Sequence, residues 1–463
     1  MNFFITVNNR EIEAVKGETV LQALRRAGIS VPTLCNMEGF TPTGACRLCM
    51  VEVTGKSDLV PACSYPVEEW MEVQTHTPKV IKARKMIVEL LLSGHPDDCL
   101  YCERNCHCEL QDLAFELNIR ERKHSGKKIS KVKDLSSPAI IRDPAKCILC
   151  GRCVRICEEV MGCSTFEFSG KGNLSGITTT YGQPLNSSSC ITCGQCVMVC
   201  PTGALYEKKN LAELQLALTD PARYPVAILD PVVSLTILEM NGNRNYRQGA
   251  RQLIAILKRC GFREVLDFAA AHDFYAKQVA REIIDRGGMI FSSNCPAWVK
   301  YAEQYLPDIL PALSKVKSPS QLGGTIFKHL YQQKSKSGAD PIPYVVSLTP
   351  CTARKFEARR KEFTDLSSNE VDAVITTRAL EQLINLNGLD FGQVEAEDFS
   401  KPFNTASLHG ELAGIAGGTM EAVASAVYHE LTGGKDLVDQ KLKKARIGKS
   451  FREIEFTVDR KVY

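Results

Sequence analysis

Residues 147 to 200 constrain this chain more than any other stretch. They read Cys147-x2-Cys150-x2-Cys153-x3-Cys157 and, after 32 intervening residues, Cys190-x2-Cys193-x2-Cys196-x3-Cys200-Pro201. A C-x2-C-x2-C run is short enough to turn three thiolates onto one iron–sulfur cube. The fourth cysteine of each run lies too far along to close that cube and ligates the other one. The spacing therefore assigns Cys147, Cys150, Cys153 and Cys200 to one [4Fe–4S] cluster, and Cys190, Cys193, Cys196 and Cys157 to a second. A pair of zinc sites fits less well, because zinc favours two C-x2-C pairs with longer gaps over a triplet plus a lone cysteine.

The rest of the composition sets wide bounds. A chain of 463 residues has room for several domains. Hydrophobic content of 44%, charged content of 24% and a net charge of +4 argue neither for nucleic acid nor for a membrane surface. No apolar run reaches the roughly 18 residues of a membrane span, and the N-terminus does not read as a signal peptide. Cysteine is the anomaly: of 20, all but three precede residue 201. Without a secretion signal, cysteines in C-x2-C groups indicate metal ligands rather than disulfides, so a cytoplasmic, anaerobic setting is expected.

In chain order, residues 2–7 read as a strand that pairs with 10–14 across the Asn8-Asn9 turn, and Glu18 to Ala27 as a helix. Cys35-x10-Cys46-x2-Cys49-x13-Cys63 follows in a loop punctuated by Gly and Pro, and its four thiolates suit a [2Fe–2S] cluster. A helix from Lys79 to about Ser93 then delivers His95, Cys99, Cys102 and Cys108, a candidate His/Cys3 set for a third [4Fe–4S] cluster. Cys106 and His107 lie inside the last gap; spacing favours Cys108. A histidine in place of a thiolate removes negative charge and should raise the cluster's potential. The basic run 121–134 reads as a solvated linker in preference to a docking patch for an acidic electron carrier, and Cys163 as a packed thiol.

Beyond about residue 209 the pattern changes to alternating strands and helices. Residues 226–230, 264–268, 289–292, 344–348 and 371–375 read as buried strands, with helices such as 247–260 and 273–285 between them. That alternation predicts a parallel α/β sheet.

The order [2Fe–2S], His/Cys3, two [4Fe–4S] resembles both the large iron–sulfur subunit of NADH dehydrogenases and the modular [FeFe]-hydrogenases. The C-terminal half favours the second. Ser292-Ser-Asn-Cys-Pro-Ala-Trp298 is similar to the hydrogenase T-S-C-C-P-x-W motif, Thr349-Pro-Cys-Thr-Ala-Arg-Lys-Phe-Glu357 to M-P-C-x-x-K-x-x-E, and Gly417-Gly-Thr-Met-Glu-Ala422 to S-G-G-V-M-E-A. The implied fold is multidomain, α+β and α/β. A β-grasp [2Fe–2S] domain spans 1–79, a helical His/Cys3 domain 80–124, a two-cluster ferredoxin domain 125–208, and an α/β hydrogenase-like domain, truncated at its C-terminus, 209–463.

The departures from the hydrogenase pattern are as informative. The active-site cluster (H-cluster) needs four cysteines, and only Cys295 and Cys351 match; a third motif, E-x-M-x-C-x-x-x-C, is not found before Tyr463. Asn294 stands where the proton-shuttling cysteine is expected, and Arg354 where a lysine would hold a cyanide ligand. Thr349 replaces a methionine, and Ala276 and Ala280 align where acidic proton-path residues are expected. The resemblance thus implies a domain without H-cluster or hydrogenase activity of its own, in which Cys295 and Cys351 are buried residual thiols. Because nothing would cover the old cluster pocket, an apolar concavity is expected near Cys295, Cys351, Gly417 and Gly418.

The implied function is electron transfer through one [2Fe–2S] and three [4Fe–4S] clusters, within a flavin-based, electron-bifurcating NAD(P)-dependent complex. The implied partners are a flavin-containing NAD(P)H-oxidising subunit, a small thioredoxin-like [2Fe–2S] subunit, ferredoxin, and a terminal enzyme such as formate dehydrogenase. No G-x-G-x-x-G opens a helix after a strand, so NAD is expected to bind elsewhere. Two other readings stay open: an active hydrogenase whose third motif lies on another polypeptide, and a redox sensor that docks a signalling partner.

Overall fold

The computed structural model describes residues 2–121, 123–126, 128, 132–334, 340–365, 368–411, 414, 417–435, 437, 443–446, 452–459 and 461–463. The chain divides into two compact units, residues 1–190 with 194–207, and residues 191–193 with 208–463. Part of the basic run 121–134 lies outside the described residues.

The first unit opens with β1 (Asn2–Val7) and β2 (Arg10–Val15), antiparallel across a turn whose Asn8 and Asn9 both take positive φ, 49° and 65°. Asparagine tolerates that left-handed geometry, which matches the twist of a two-residue hairpin. Helix α1 (Val20–Arg26) begins two residues later than its sequence pattern suggests, because Thr19 and Gln22 form a capping box. Strands β3 (Met50–Val53), β4 (Val60–Pro61) and β5 (Glu72–Gln74) complete a sheet of order β2-β1-β5-β3-β4. Alternate residues Ile5, Val7, Ile12 and Ala14 bury themselves against α1 through Val20, Leu21 and Leu24.

Helix α2 (Pro78–Gly94) is capped by Thr77 and buries Arg84, which is only 2% exposed. Its guanidinium donates to the carbonyls of Leu48, at 3.0 Å, and Met50, at 2.9 Å, tying the helix to the cysteine loop before β3. After α3 (Glu109–Glu116) come two small antiparallel pairs, β6 (Ile140–Arg142) with β9 (Leu205–Glu207) and β7 (Phe166–Ser169) with β8 (Gly176–Thr179). They enclose the short helices α4 (Arg152–Arg155) and α5 (Gln195–Val199), which carry the cysteine runs.

The second unit follows α6 (Leu211–Thr219) with β10 (Arg223–Leu229), α7 (Pro231–Met240), α8 (Tyr246–Arg259), β11 (Glu264–Asp267) and α9 (Phe268–Arg286). Then come α10 (Pro296–Tyr305), α11 (Pro319–Lys334), β12 (Ile342–Leu348), α12 (Arg354–Glu357), the pair β13 (Thr364–Asp365) and β14 (Ser368–Asn369), β15 (Ala373–Ile375) and α13 (Thr377–Leu386). Four parallel strands form a sheet of order β11-β10-β12-β15. Val226 and Ile228 point to the face covered by α9 and α11, and Ala227 and Leu229 to the face covered by α7, α8 and α13. Both faces are covered, so the strands read as unbroken apolar runs. The expected strand at 289–292 does not form: Gly287 and Gly288 take left-handed φ, and Phe291 makes only an isolated bridge with Leu313. The last described elements are α14 (Leu408–Glu411), α15 (Gly418–Thr432) and two hairpins, β16 (Lys443–Arg446) with β17 (Arg452–Glu455) and β18 (Thr457–Val458) with β19 (Lys461–Val462).

The connection from β10 goes first to β11 on one side, and the chain then returns to β12 on the other. In an open parallel sheet that reversal leaves a crevice at the carboxyl ends of the two diverging strands. Asp230 and the segment 349–354 stand there, with Asp230 N–H donating to the Leu348 carbonyl at 3.1 Å.

Helix α11 lies so close to its neighbour that Gly324 is required: a Cβ there would stand 2.3 Å from the Glu370 carbonyl oxygen. Gly324→Ala should therefore destabilise the chain by about 2–3 kcal/mol, since backbone yields less easily than side chain. A clear fall in melting temperature of the full chain is expected; an unchanged one would show that α11 can pull away.

Candidate metal centres

Cys35, Cys46 and Cys49 lie in the loop between α1 and β3, and Cys63 follows β4. Their side chains meet as free thiols: Cys35 shares hydrogen bonds with Cys46 and Cys63, and Cys63 also with Cys49. The contacts with Cys46 and Cys63 draw the Cys35 thiol far down, while Cys46 and Cys63 are pushed up. Arg47 turns the loop at φ 59°, and the Leu34 N–H points at the Cys46 sulfur, 3.4 Å away. Burial lowers the pKa of Arg84, and nearby Cys49 opposes that shift. Four thiols facing one another beside a buried guanidinium suit a cluster that takes them as thiolates.

His95 caps the C-terminus of α2, its Nδ1 3.1 Å from the Pro96 carbonyl. Burial lowers its pKa, favouring the neutral imidazole a metal requires. Cys108 stands at the N-cap of α3, its thiol pushed up by burial, with Cys102 and Cys99 near enough to add to the shift. Cys106 is exposed, at φ 63°. Gly203 packs against this set from the Cys200 loop; a Cβ there would stand 2.5 Å from the Cys102 sulfur.

Cys147, Cys150, Cys153 and Cys200 line a single cavity with Ile148, Phe166, Ile177 and Leu205. The structure thus gathers the three residues of one run and the fourth of the other. Leu149 at φ 56° and Gly151 at φ 72° turn the loop around that cavity. Cys190 and Cys196 are buried in the same apolar core that Cys157 borders, and the Cys157 sulfur receives the Thr165 N–H at 3.4 Å. Cys193 falls in the short segment grouped with the second unit. Cys163 is buried, its Sγ 3.2 Å from the Met161 carbonyl. Among the described residues no three His, Cys, Asp or Glu side chains are spaced to hold a single metal ion. The four sulfurs of Cys147, Cys150, Cys153 and Cys200 arranged around one cavity fit a polynuclear cluster.

The carboxyl-end crevice of the second unit is filled by charge. Arg354, 7% exposed, donates to both oxygens of Glu357, at 2.9 and 3.2 Å, and to Asn294 Oδ1 at 2.8 Å. Asp230 caps α7 and faces Arg354; burial raises its carboxyl, against the pull of the Val232 N–H and Arg354. Asn294 Nδ2 lies 3.5 Å from Thr419 Oγ1, which is 3.1 Å from His272 Nε2. Cys351 is half-buried beside Arg354, its thiol raised by burial, whereas Cys295 is exposed. The expectation of two buried thiols is corrected for Cys295, which stands at the open N-terminus of α10.

A cavity of about 880 Å³ opens beside Cys295, lined by Asn294, Trp298, Gly417, Thr419 and apolar residues of α9 and α15. It differs from the expected uncovered concavity: Cys351 and Gly418 do not line it, and Ile454, Phe456 and Tyr463 from the terminal hairpins do. Ala276 and Ala280 are buried on α9. One carboxylate of that helix passed over by motif reading is Glu282, which accepts from Ser314 Oγ at 2.6 Å and from the Lys315 N–H at 3.0 Å. Nothing in sequence spacing joins residues 282 and 314. Asp230 was likewise missed; its place just after a buried strand and before Pro231 was the available signal.

Residues 223–463 match the family described as iron only hydrogenase large subunit, C-terminal domain. The chain belongs to that family. Residues 2–78 match a 2Fe-2S iron-sulfur cluster binding domain, 84–123 the NADH-ubiquinone oxidoreductase-G iron-sulfur binding region, and 137–206 the ferredoxin-like domain of NADH-quinone oxidoreductase subunit 3. The chain is 36% identical over 445 residues to the NADP-reducing hydrogenase subunit HndD of Solidesulfovibrio fructosivorans, covering 93% of this chain and 76% of that protein. It is 31% identical over 467 residues to iron hydrogenase 1 of Clostridium pasteurianum, covering 99% and 81%. It is also 36% identical over 184 residues to the NADH-ubiquinone oxidoreductase 75 kDa subunit of Reclinomonas americana, covering 40% of this chain and 26% of that one. Among the described residues no helix is long and apolar enough to cross a membrane.

His95→Cys should keep a cluster and lower its potential, whereas His95→Ala should weaken or lose it. An unchanged EPR spectrum in His95→Ala would pass the ligand role to another group. His272 gives a separate test, of stability. Burial, helped by Arg354, lowers its pKa to about 4 from 6.5, so between those values the unfolded chain binds the extra proton. Stability present at neutral pH is then lost as pH falls from 6.5 to 4, by up to about 3 kcal/mol. Asp267 runs the other way: burial raises it from 3.8 to about 6, and its contribution is lost as pH rises through that window. His272→Gln, which can keep the Thr419 bond, should remove the His272 component and lose less stability than the parent between pH 7 and pH 5. Parallel profiles would show that His272 does not titrate in this way.

Proposed function

We propose that this chain is an electron-transfer subunit of a multisubunit NAD(P)-dependent oxidoreductase and that its hydrogenase-like unit produces no hydrogen. The similarity to an NADP-reducing hydrogenase subunit and to the 75 kDa subunit of an NADH-ubiquinone oxidoreductase supports a place in such an assembly. Cys35, Cys46, Cys49 and Cys63 would hold a [2Fe–2S] cluster, and His95, Cys99, Cys102 and Cys108 a [4Fe–4S] cluster. Cys147, Cys150, Cys153 and Cys200 would hold a second [4Fe–4S] cluster, and Cys190, Cys193, Cys196 and Cys157 a third. Bound there, the clusters supply one-electron chemistry. The chain's own residues fix the sulfurs, shield them with apolar cores and set the local charge. The electron donor is a flavin-containing NAD(P)H-oxidising subunit with a thioredoxin-like [2Fe–2S] partner, and ferredoxin and a formate dehydrogenase-type enzyme are the acceptors that fit. Bifurcation at the flavin is part of this reading.

The observation that carries the loss of hydrogenase chemistry is the contact of Arg354 with Asn294 at 2.8 Å. The two residues that stand for the cyanide-holding lysine and the proton-shuttling cysteine hydrogen-bond to each other, and Glu357 completes the charge pairing. A guanidinium cannot lose its proton, and an amide does not titrate near neutral pH, so this pair offers no proton relay. Glu282 remains on α9, but its carboxylate is engaged by Ser314 and Lys315.

Anaerobically prepared chain should contain about 14 irons, the content of one [2Fe–2S] and three [4Fe–4S] clusters. Its infrared spectrum should lack cyanide and carbonyl bands after exposure to hydrogenase maturation. Roughly 18 to 20 irons with those bands would overturn the proposal and favour an active hydrogenase.

A further inference from the structure

Arg155 lies in the first unit between Cys153 and Cys157, which are candidate ligands of the two different [4Fe–4S] clusters, and is only 6% exposed. Its guanidinium reaches across the unit to the [2Fe–2S] loop. Nη1 donates to the Thr41 carbonyl at 2.9 Å, and Nη2 donates to the carbonyl of Cys35, itself a candidate ligand. The Thr41 N–H is in turn 3.3 Å from Glu159 Oε2, on the turn that follows Cys157. The contrast with Arg152, three residues earlier, is informative. Arg152 is paired with both oxygens of Glu109, at 2.6 and 2.9 Å, so its charge is compensated within the protein. Among the described residues no carboxylate pairs with Arg155, whose guanidinium is held by neutral carbonyls. A buried cation held only by carbonyls is costly unless anionic groups stand near it. The thiolate-ligated clusters on either side are the anions at hand.

We infer that Arg155 is a positioning residue. It fixes the backbone of Cys35 to the helix that carries Cys153 and leads to Cys157, and so sets the separation and relative potential of the [2Fe–2S] cluster and the adjoining [4Fe–4S] pair. This rests on the cluster assignment proposed above. A guanidinium presents a planar fork that spans two carbonyl oxygens, which an ammonium cannot reproduce. Its charge beside Cys35 favours the reduced, more negative state of the [2Fe–2S] cluster.

The test compares the full chain with Arg155→Met and Arg155→Lys after dithionite reduction, reading iron content, cluster midpoint potentials, EPR broadening between clusters, and the rate at which the [2Fe–2S] signal reoxidises through the chain. Both variants should keep the parent's iron. Arg155→Met should show a lower [2Fe–2S] potential, weaker intercluster broadening and severalfold slower internal transfer. Arg155→Lys should restore the potential but not the broadening or the rate. Unchanged broadening and rate in Arg155→Met would overturn the inference. Iron loss in both variants would also overturn it and make Arg155 a folding residue. A parent chain without clusters would instead overturn the cluster assignment, so the two failures are distinguishable.

Discussion

Bringing many thiolates into one small unit creates an electrostatic difficulty that buried and half-buried arginines answer. Arg84 clasps the carbonyls of Leu48 and Met50 next to Cys49, and Arg104 donates to the carbonyls of Val197 and Cys200, both at 2.8 Å. Arg152 reaches the carboxylate beside Cys108, and Arg155 the carbonyl of Cys35. Arg104, Arg152 and Arg155 each reach from one cysteine-bearing segment to another, and Arg84 holds the cysteine loop from the helix that leads to His95. Loops with few regular hydrogen bonds of their own gain a fixed shape that way, and the local field turns positive where negative sulfur accumulates. The short helices α4 and α5 could not supply that rigidity alone.

The second unit rests on a different constraint. A parallel sheet covered on both faces must leave its chemistry at the carboxyl edge, because the faces are occupied by apolar packing. Residues from four separate segments meet there: Asp230, His272, Asn294 and the Arg354–Glu357 pair. Thr419 links His272 to Asn294, and Arg354 is matched by Glu357 and Asn294, while the buried Nδ1 of His272 has no hydrogen-bond partner among the described residues.

Sequence alone determined the division between a cysteine-rich first half and an α/β second half, and the family; of the expected cysteine sets, Cys147, Cys150, Cys153 and Cys200 line one cavity. Fixed spacing and long apolar alternation are local properties that survive without coordinates. It went wrong where geometry overrode composition: residues 289–292 have strand-like side chains, but two left-handed glycines turn the backbone away from the sheet. It also buried Cys295, which stands exposed at the start of α10. Only the tertiary structure decided which distant groups touch. The crossing of Cys200 to the Cys147 run could be anticipated from spacing, but the contacts Arg155–Cys35, Arg354–Asn294 and Glu282–Ser314 join residues separated by 32 to 120 positions. No periodicity encodes such pairs, because they depend on how whole elements pack and on burial, which sets the energy of every charge.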